Sequence, residues 1–189
     1  METKFKGTYR IKTTRLKNWD YGSHGFYFVT ICTKNKQPYF GRIVPIETQN
    51  RVETQNFASL PRHTTNFPSL HPTRIGDIAR TYWTEIPNHF PFVELDEYVV
   101  MPDHLHGILF FNRPDYRDWN PNQFKPQSKN LASVIRGYKA AVTKYATLHN
   151  FEFEWQPRYY DQVIHSEATL NRIRKYIVKN PVEWMTKNK

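Results

Sequence analysis

The segment VELDEYVVMPDHLHGILFF (93–111) decides the fold of this 189-residue chain. Residues 93–101 and 104–111 are rich in the β-branched and aromatic side chains that favour strands, and Pro102 with Asp103 between them is typical of a turn. Two strands so close in sequence pair in the antiparallel sense. The segment therefore predicts a β-hairpin.

The chain on both sides of this hairpin alternates between strand and helix patterns. From the N-terminus, the predicted elements are a strand at 24–35, a helix at 75–90, the two hairpin strands, a helix at 131–150, an extended segment at 155–165 and a helix at 166–180. Pro87 and Pro181 are expected to end the helices that precede them. The order predicts an α+β fold of the ferredoxin-like, split β-α-β type, with one antiparallel sheet, helices packed on it and an additional C-terminal helix.

Two stretches depart from this pattern and set the expected domain organisation. Residues 1–23 predict a basic N-terminal arm, and 24–189 a single domain. Residues 41–73 contain four prolines and repeat ETQN at 47–50 and 53–56. They predict an inserted surface loop without a catalytic role.

The composition favours a nucleic-acid partner. Lys and Arg number 27 against 17 Asp and Glu, a formal net charge of +10, and aromatic residues make up 16% of the chain. Excess positive charge attracts phosphates, and aromatic rings stack on unpaired bases. The single cysteine, Cys32, excludes an internal disulfide framework and a cysteine-based zinc site. No apolar run approaches the roughly 18 residues of a membrane helix, so we expect no membrane partner and a cytoplasmic, nucleoid-associated protein.

The hairpin carries two histidines that point to the same face of the sheet. His104 and His106 are two positions apart, and side chains alternate along a strand. Neutral imidazole is a common metal ligand, and two of them leave coordination positions open for a substrate. The alternative is a pair of partly buried histidines that hydrogen-bond to the backbone.

The last predicted helix offers a second pair of polar side chains. Tyr176 and Asn180, in the segment RKYIVKNP, are four positions apart and share one helix face. A phenol and an amide oxygen could therefore reach the same point. The alternative is a tyrosine at the edge of the core, with Asn180 as a helix-end residue before Pro181.

Three segments together resemble a known family. They are YVVMPDHLHGIL (98–109), WQPRYYDQVI (155–164) and YIVKNPVEW (176–184). They resemble the single-tyrosine transposases of the HUH endonuclease superfamily, and among these the REP-associated tyrosine transposases. The resemblance covers most of the chain from about residue 20, apart from 41–73.

The resemblance implies a site and a reaction. His104 and His106 are then metal ligands, Asn180 takes the place of a third ligand that is glutamine in many relatives, and Tyr176 is the nucleophile. The expected cofactor is Mg²⁺ or Mn²⁺, and imidazole ligands suit Mn²⁺ better. The tyrosine would attack a phosphate in hairpin-bearing single-stranded DNA, of the REP type or from insertion-sequence ends. It would form a 5′-phosphotyrosine that a 3′-hydroxyl reverses on another strand. Both a monomer and a homodimer are compatible with the resemblance.

Basic side chains along the chain are candidates for contacts with DNA phosphates. They are Arg10, Lys12, Arg15 and Lys17 in the arm, Arg136 and Lys139 on the helix at 131–150, Arg158 in the extended segment, and Arg172, Lys175 and Lys179 around the tyrosine. The alternative for those on the last helix is a solvated basic face. Tyr159 and Tyr160 are interpreted as packing or strand-contact residues.

Three other functions are weighed against a transposase. A DNA-binding protein of the same fold that does not cleave would share the charge and the aromatic residues, although the complete set of site residues argues against it. A two-histidine or histidine-triad phosphoesterase needs more histidine motifs than the one HLH that precedes Gly107. An RNA-recognition domain needs aromatic motifs on its central strands, where the histidines lie instead.

Overall fold

A computed structural model describes residue 16 and residues 19–45, 68–116 and 128–187, together with the backbone of 4–5 and 8–9. In chain order the elements are β1 (Lys4–Phe5), β2 (Thr8–Tyr9), β3 (Gly25–Cys32), a 3-10 turn (Lys34–Lys36), β4 (Gly41–Val44), β5 (Ser69–Pro72), α1 (Arg74–Thr84), α2 (Ile86–His89), β6 (Val93–Val100), β7 (His104–Phe111), α3 (Leu131–Leu148), β8 (Tyr160–Ile164) and α4 (Glu167–Lys187). The basic arm positions Arg10, Lys12, Arg15 and Lys17 lie outside the described residues.

The main sheet has four antiparallel strands in the order β6-β7-β3-β8. Strands β6 and β7 form the predicted hairpin, and β3 lies between β7 and β8. With α1 between β3 and β6, and α3 between β7 and β8, this is the β-α-β-β-α-β arrangement. The α+β ferredoxin-like prediction is confirmed.

Each face of this sheet is covered by a different helical layer. Helices α1 and α3 bury Trp83 and Tyr138 against one face. Helix α4 covers the other face, where Ile173 and Ile177 pack against Ile108 of β7. Each such buried side chain contributes roughly 1.5–3 kcal/mol relative to an exposed one, so both layers are firmly attached.

Strand β7 lies directly against α1 at Gly107. A Cβ atom there would lie 2.3 Å from Cζ2 of Trp83, whose ring is fully buried. The glycine lets the strand lie directly on the indole ring. His106 and Ile108, on either side of it, therefore point to the opposite face and toward α4.

Two predicted helix ends differ from the structure because tertiary contacts override local signals. The helix predicted at 75–90 ends at Thr84, and Pro87 lies in the first turn of α2, where its missing N–H is not needed. Helix α4 continues through Pro181 to Lys187. In the helical turn that follows Pro181, Trp184 packs against His104.

The interpretation of 41–73 as a loop is wrong at its two ends. β4 and β5 pair as a two-stranded antiparallel ladder. Gly41 has φ +139, and a Cβ there would lie 2.3 Å from the carbonyl oxygen of His71, so the pairing requires glycine. Both copies of ETQN lie outside the described residues.

An ion pair fastens α4 to the edge of the sheet. Arg174 donates to both carboxylate oxygens of Asp96, with Nε 2.8 Å from Oδ1. This pairing lowers the pKa of Asp96. Asp96 lies between Leu95 and Tyr98, where the pairing of β6 with β7 shifts register. The irregular edge of the sheet thus provides an anchor for the helix that carries Tyr176.

Candidate active site

The two histidines of β7 lie side by side on the face that α4 covers. Their ring centroids are 4.5 Å apart. In the sheet, His106 pairs with Thr30 of β3 on one side and Val99 of β6 on the other. Because β7 is bonded along both edges, the backbone that carries the two rings is fixed on both sides.

His106 has a polar partner at each ring nitrogen. Oγ1 of Thr30 lies 2.8 Å from Nδ1, and the hydroxyl of Tyr176 lies 3.0 Å from Nε2. Burial, with a smaller effect from the charge of His104, lowers the pKa of His106 to about 3. The ring is therefore neutral near pH 7, with one nitrogen carrying a proton. When Nδ1 donates to Thr30, Nε2 has a lone pair for the tyrosine hydroxyl or for a metal ion.

His104 is oriented by its neighbour in the turn. The carboxylate of Asp103, which is buried, contacts Nδ1 of His104. A carboxylate at one ring nitrogen favours the proton on that nitrogen and leaves Nε2 as the electron-pair donor. The centroid of the His104 ring lies 5.8 Å from that of Trp184 on α4.

Helix α4 presents a row of three side chains to the histidines. Tyr176, Asn180 and Trp184 follow at intervals of four residues and share one helix face. Tyr176 contacts His106 at one end of the row, and Trp184 contacts His104 at the other. Asn180, one turn from each, is 7% exposed, and its place in the row puts it on the helix face that contacts the histidines.

These side chains fit a divalent metal ion held by few protein ligands. Asp103 and Thr30 each engage an Nδ1 atom, which leaves the Nε2 atoms of His104 and His106 as donors. The amide oxygen of Asn180 is the third candidate ligand. Two imidazoles and one amide suit Mn²⁺ better than Mg²⁺, which prefers an all-oxygen shell. In the described parts of the chain, this site included, no cluster of three or more His, Cys, Asp or Glu side chains is arranged to hold a metal ion, so a third ligand here has to be the amide of Asn180 or come from outside the protein.

The phenol of Tyr176 is accessible from solvent although its ring is anchored. The side chain is 39% exposed, and its ring centroid lies 6.4 Å from that of Phe28 on β3. Phe28 also stacks on His106 at 5.5 Å. The hydroxyl group is thus held beside the histidines while a polymer can approach it from outside.

The basic side chains of α4 divide between two directions. Arg172 and Lys179 are four residues before and three residues after Tyr176, so they lie on its side of the helix. Lys175 projects from the outer surface of the helix, away from the sheet. All three are exposed. Arg172 and Lys179 are therefore exposed cations on the Tyr176 side of α4.

The basic side chains of α3 lie on the other layer. Arg136 is exposed there, far from the histidine face. Lys139 donates to the carbonyl oxygens of Gln156 and Arg158 at 2.7 and 3.1 Å and lies 5.5 Å from the ring of Trp155. This lysine ties the segment before β8 to α3, a structural role that the sequence analysis did not assign to it.

Three residues of the site were missed in the sequence analysis. Thr30 becomes a partner of His106 only through the pairing of β3 with β7. Trp184 lies beyond the proline that was expected to end the helix. Asp103 was assigned to the turn, and its position next to His104 was a usable signal for a carboxylate partner.

Comparison with known proteins places the chain in a family and identifies its fold. No protein-family model matches it. An uncharacterized protein of Haemophilus influenzae is 34% identical over 194 residues, which cover 97% of this chain and 96% of that protein. The chain belongs to the family of that protein.

The structure of a REP-associated tyrosine transposase bound to a REP hairpin matches with a TM-score of 0.52 and 17% identity, over 92% of this chain and 74% of that one. The present chain therefore has the fold of the REP-associated tyrosine transposases, and the resemblance seen in the sequence motifs is confirmed at the level of fold. Among the described helices, none is both long enough and apolar enough to cross a membrane.

Proposed function

We propose that the protein is a metal-dependent endonuclease and strand transferase that acts on hairpin-bearing single-stranded DNA, with Tyr176 as the nucleophile. The observation that carries the proposal is the position of the Tyr176 hydroxyl, 3.0 Å from Nε2 of His106, on an accessible face beside a second histidine. A hydroxyl nucleophile next to two imidazole rings that can bind a divalent ion is an arrangement suited to metal-dependent phosphodiester cleavage.

In the proposed reaction, the oxygen of Tyr176 forms a bond to the phosphorus of one phosphodiester. The bond from phosphorus to the 3′ oxygen breaks, and the phenol proton, passed through solvent, ends on that oxygen as a 3′-hydroxyl. The 5′ phosphate stays on the tyrosine. Because the number of phosphoester bonds is unchanged, a second 3′-hydroxyl can reverse the step on another strand without ATP.

The side chains divide the work of this step. A divalent ion bound by His104, His106 and Asn180 would withdraw charge from a phosphate oxygen. His106, with a pKa of about 3, is too weak a base to deprotonate a phenol whose usual pKa is about 10. The Nε2 lone pair of His106 holds Tyr176 by a hydrogen bond only while no metal ion is bound to that nitrogen. Positive charge from Arg172 and Lys179 would favour the phenolate and hold the DNA backbone.

Two further observations support DNA as the substrate. The chain carries a formal net charge of +10, which favours binding to a polyanion. The structure with the same fold is that of a transposase bound to a REP hairpin. Single-stranded hairpins of that type are therefore the substrates to test first.

A denaturing gel assay tests the nucleophile and the metal requirement together. Labelled single-stranded hairpins taken from the DNA that flanks the gene are incubated with protein and Mn²⁺, Mg²⁺ or EDTA. We expect a covalent protein–DNA adduct with either metal, and none with EDTA or with Tyr176→Phe. Tyr82→Phe, which removes a hydroxyl from α1 on the opposite side of the sheet, is the matched control and should form the adduct.

Two other results would contradict the proposal in different ways. An adduct that persists in Tyr176→Phe would move the nucleophile to Tyr159 or Tyr160. No adduct under any condition, with tight binding to several hairpins, would identify a DNA-binding protein of this fold that does not cleave.

A further inference from the structure

Tyr160 is an exposed aromatic side chain beside the candidate active site. It is the first residue of β8, and it is 48% exposed. The sequence analysis interpreted it as a packing or strand-contact residue; it does pair in the sheet, but almost half of its surface is accessible to solvent. Within the described ranges, the large apolar side chains that are exposed to this degree or nearly so are Leu16, Leu148, Phe151, Tyr160, Tyr176 and Val178.

The strand pairing places Tyr160 on the same face as the histidines. Tyr160 is paired with Thr30, and Thr30 is paired with His106. Residues directly opposite each other in an antiparallel sheet point to the same side. Two strand spacings separate Tyr160 from His106, or about 10 Å between their backbones.

The ring of Phe28 contacts both Tyr160 and Tyr176. Its ring centroid lies 6.2 Å from that of Tyr160 and 6.4 Å from that of Tyr176. Phe28 itself is only 7% exposed. The two phenol rings therefore stand on either side of a buried ring and present their own surfaces to solvent.

The position suits an unpaired nucleotide. A phosphate at Tyr176 leaves its neighbouring sugar and base within reach of the Tyr160 ring, because the ring of Phe28 lies within 6.4 Å of both phenol rings. Exposed aromatic side chains bind single strands by stacking on bases, and they do so with little regard to sequence. Arg158, which is exposed and two residues before Tyr160, adds positive charge at the same edge of the sheet.

We propose that Tyr160 is a base-stacking residue that holds an unpaired DNA base next to the phosphate attacked by Tyr176. The inference rests on the proposed function, since it takes the phosphate position from that reaction. The ring supplies the interaction, and the Tyr160 hydroxyl is not needed. Stacking on one base predicts an affinity for single-stranded DNA about 5- to 150-fold higher than without the ring.

The test compares two DNA probes and three variants by fluorescence anisotropy in EDTA. One probe is a hairpin with unpaired nucleotides on both sides, and the other is the same hairpin with blunt ends. Tyr160→Ala should weaken binding of the flanked hairpin about 5- to 150-fold and leave binding of the blunt hairpin unchanged. Tyr160→Phe should bind both probes as the wild type does.

Phe151→Ala is the matched control, because Phe151 is an aromatic residue of similar exposure, 37%, that stacks with Tyr145 of α3 in the other layer. It should leave both affinities unchanged. Circular dichroism and thermal melting of each variant verify that the fold is intact. A 2-aminopurine base in the flank should be quenched by the wild type and by Tyr160→Phe, and not by Tyr160→Ala.

Three results would overturn the inference. The first is that the wild type and Tyr160→Ala bind the flanked hairpin equally well. The second is that Tyr160→Phe loses as much affinity as Tyr160→Ala. The third is that the wild type binds the flanked hairpin no better than the blunt one. If the wild type forms the covalent adduct, any of these refutes the stacking role alone. If the wild type forms no adduct with metal present, the proposed function itself fails.

Discussion

His106 makes the stability of the protein depend on pH. Its ring is 6% exposed, and burial lowers its pKa from 6.5 to about 3. Between these values, the unfolded chain binds a proton that the folded chain does not, so the free energy of unfolding falls as the pH falls. From pH 7 to pH 5, this histidine should reduce the free energy of unfolding by about 2 kcal/mol. Because pH 5 lies well above the folded-state pKa, nearly all of the change comes from protonation of the unfolded chain.

Urea unfolding at the two pH values, in EDTA, measures this contribution. Wild type should lose about 2 kcal/mol more than His106→Gln, which keeps a polar side chain of similar size but does not titrate. His71→Gln, at an exposed histidine on β5, keeps His106 and should lose as much as the wild type. Equal losses in the wild type and His106→Gln would refute the reasoning. In the wild type, NMR of the His106 ring should show no protonation above pH 5.

Two further substitutions test the support of the site. Thr30→Val should weaken Mn²⁺ binding about 10- to 100-fold in isothermal titration calorimetry, because the imidazole ring loses the hydrogen bond that orients it, while Thr30→Ser retains most of the affinity. An unchanged affinity in the valine variant would show that this hydrogen bond does not orient the ligand. Gly107→Ala should destabilise the fold by about 1–3 kcal/mol or more in urea unfolding, since the new methyl group overlaps the buried ring of Trp83. Gly137→Ala, on the exposed face of α3 with only ordinary contacts for a Cβ, should instead leave the stability unchanged or raise it by up to about 1 kcal/mol. Equal stability of the two alanine variants would contradict the close approach of β7 to α1.

The sequence predicted those parts of the fold that local side chains determine. Strand patterns at 93–101 and 104–111 and a turn between them were sufficient for the central hairpin, and all four strands of the sheet were located. The ladder between β4 and β5 was not predicted, because four-residue strands carry little periodicity and their partners are distant in sequence. The continuation of α4 past Pro181 depends on packing between Trp184 and His104, which no local pattern reveals.

The candidate site was predictable as two halves and not as a whole. Strand alternation placed His104 and His106 together, and helical spacing placed Tyr176 with Asn180. The hydrogen bond that joins the halves depends on how α4 lies on the sheet. The exposure of Tyr160 depends on its position in an edge strand, so the same aromatic side chain could equally have been part of a core.

The two halves of the site are attached to the protein by different means, and this matters for turnover. The histidines belong to an inner strand that is hydrogen-bonded to β6 and β3. Tyr176 belongs to a helix that rests on the sheet through side chains: an apolar cluster, the ion pair of Arg174 with Asp96, and its contacts with the two histidines. A small tilt of that helix would separate Tyr176 from His106 and leave every backbone hydrogen bond of the sheet in place. In the proposed reaction, the tyrosine would withdraw after one strand has been joined and admit the next, while the two histidines keep their positions in the sheet.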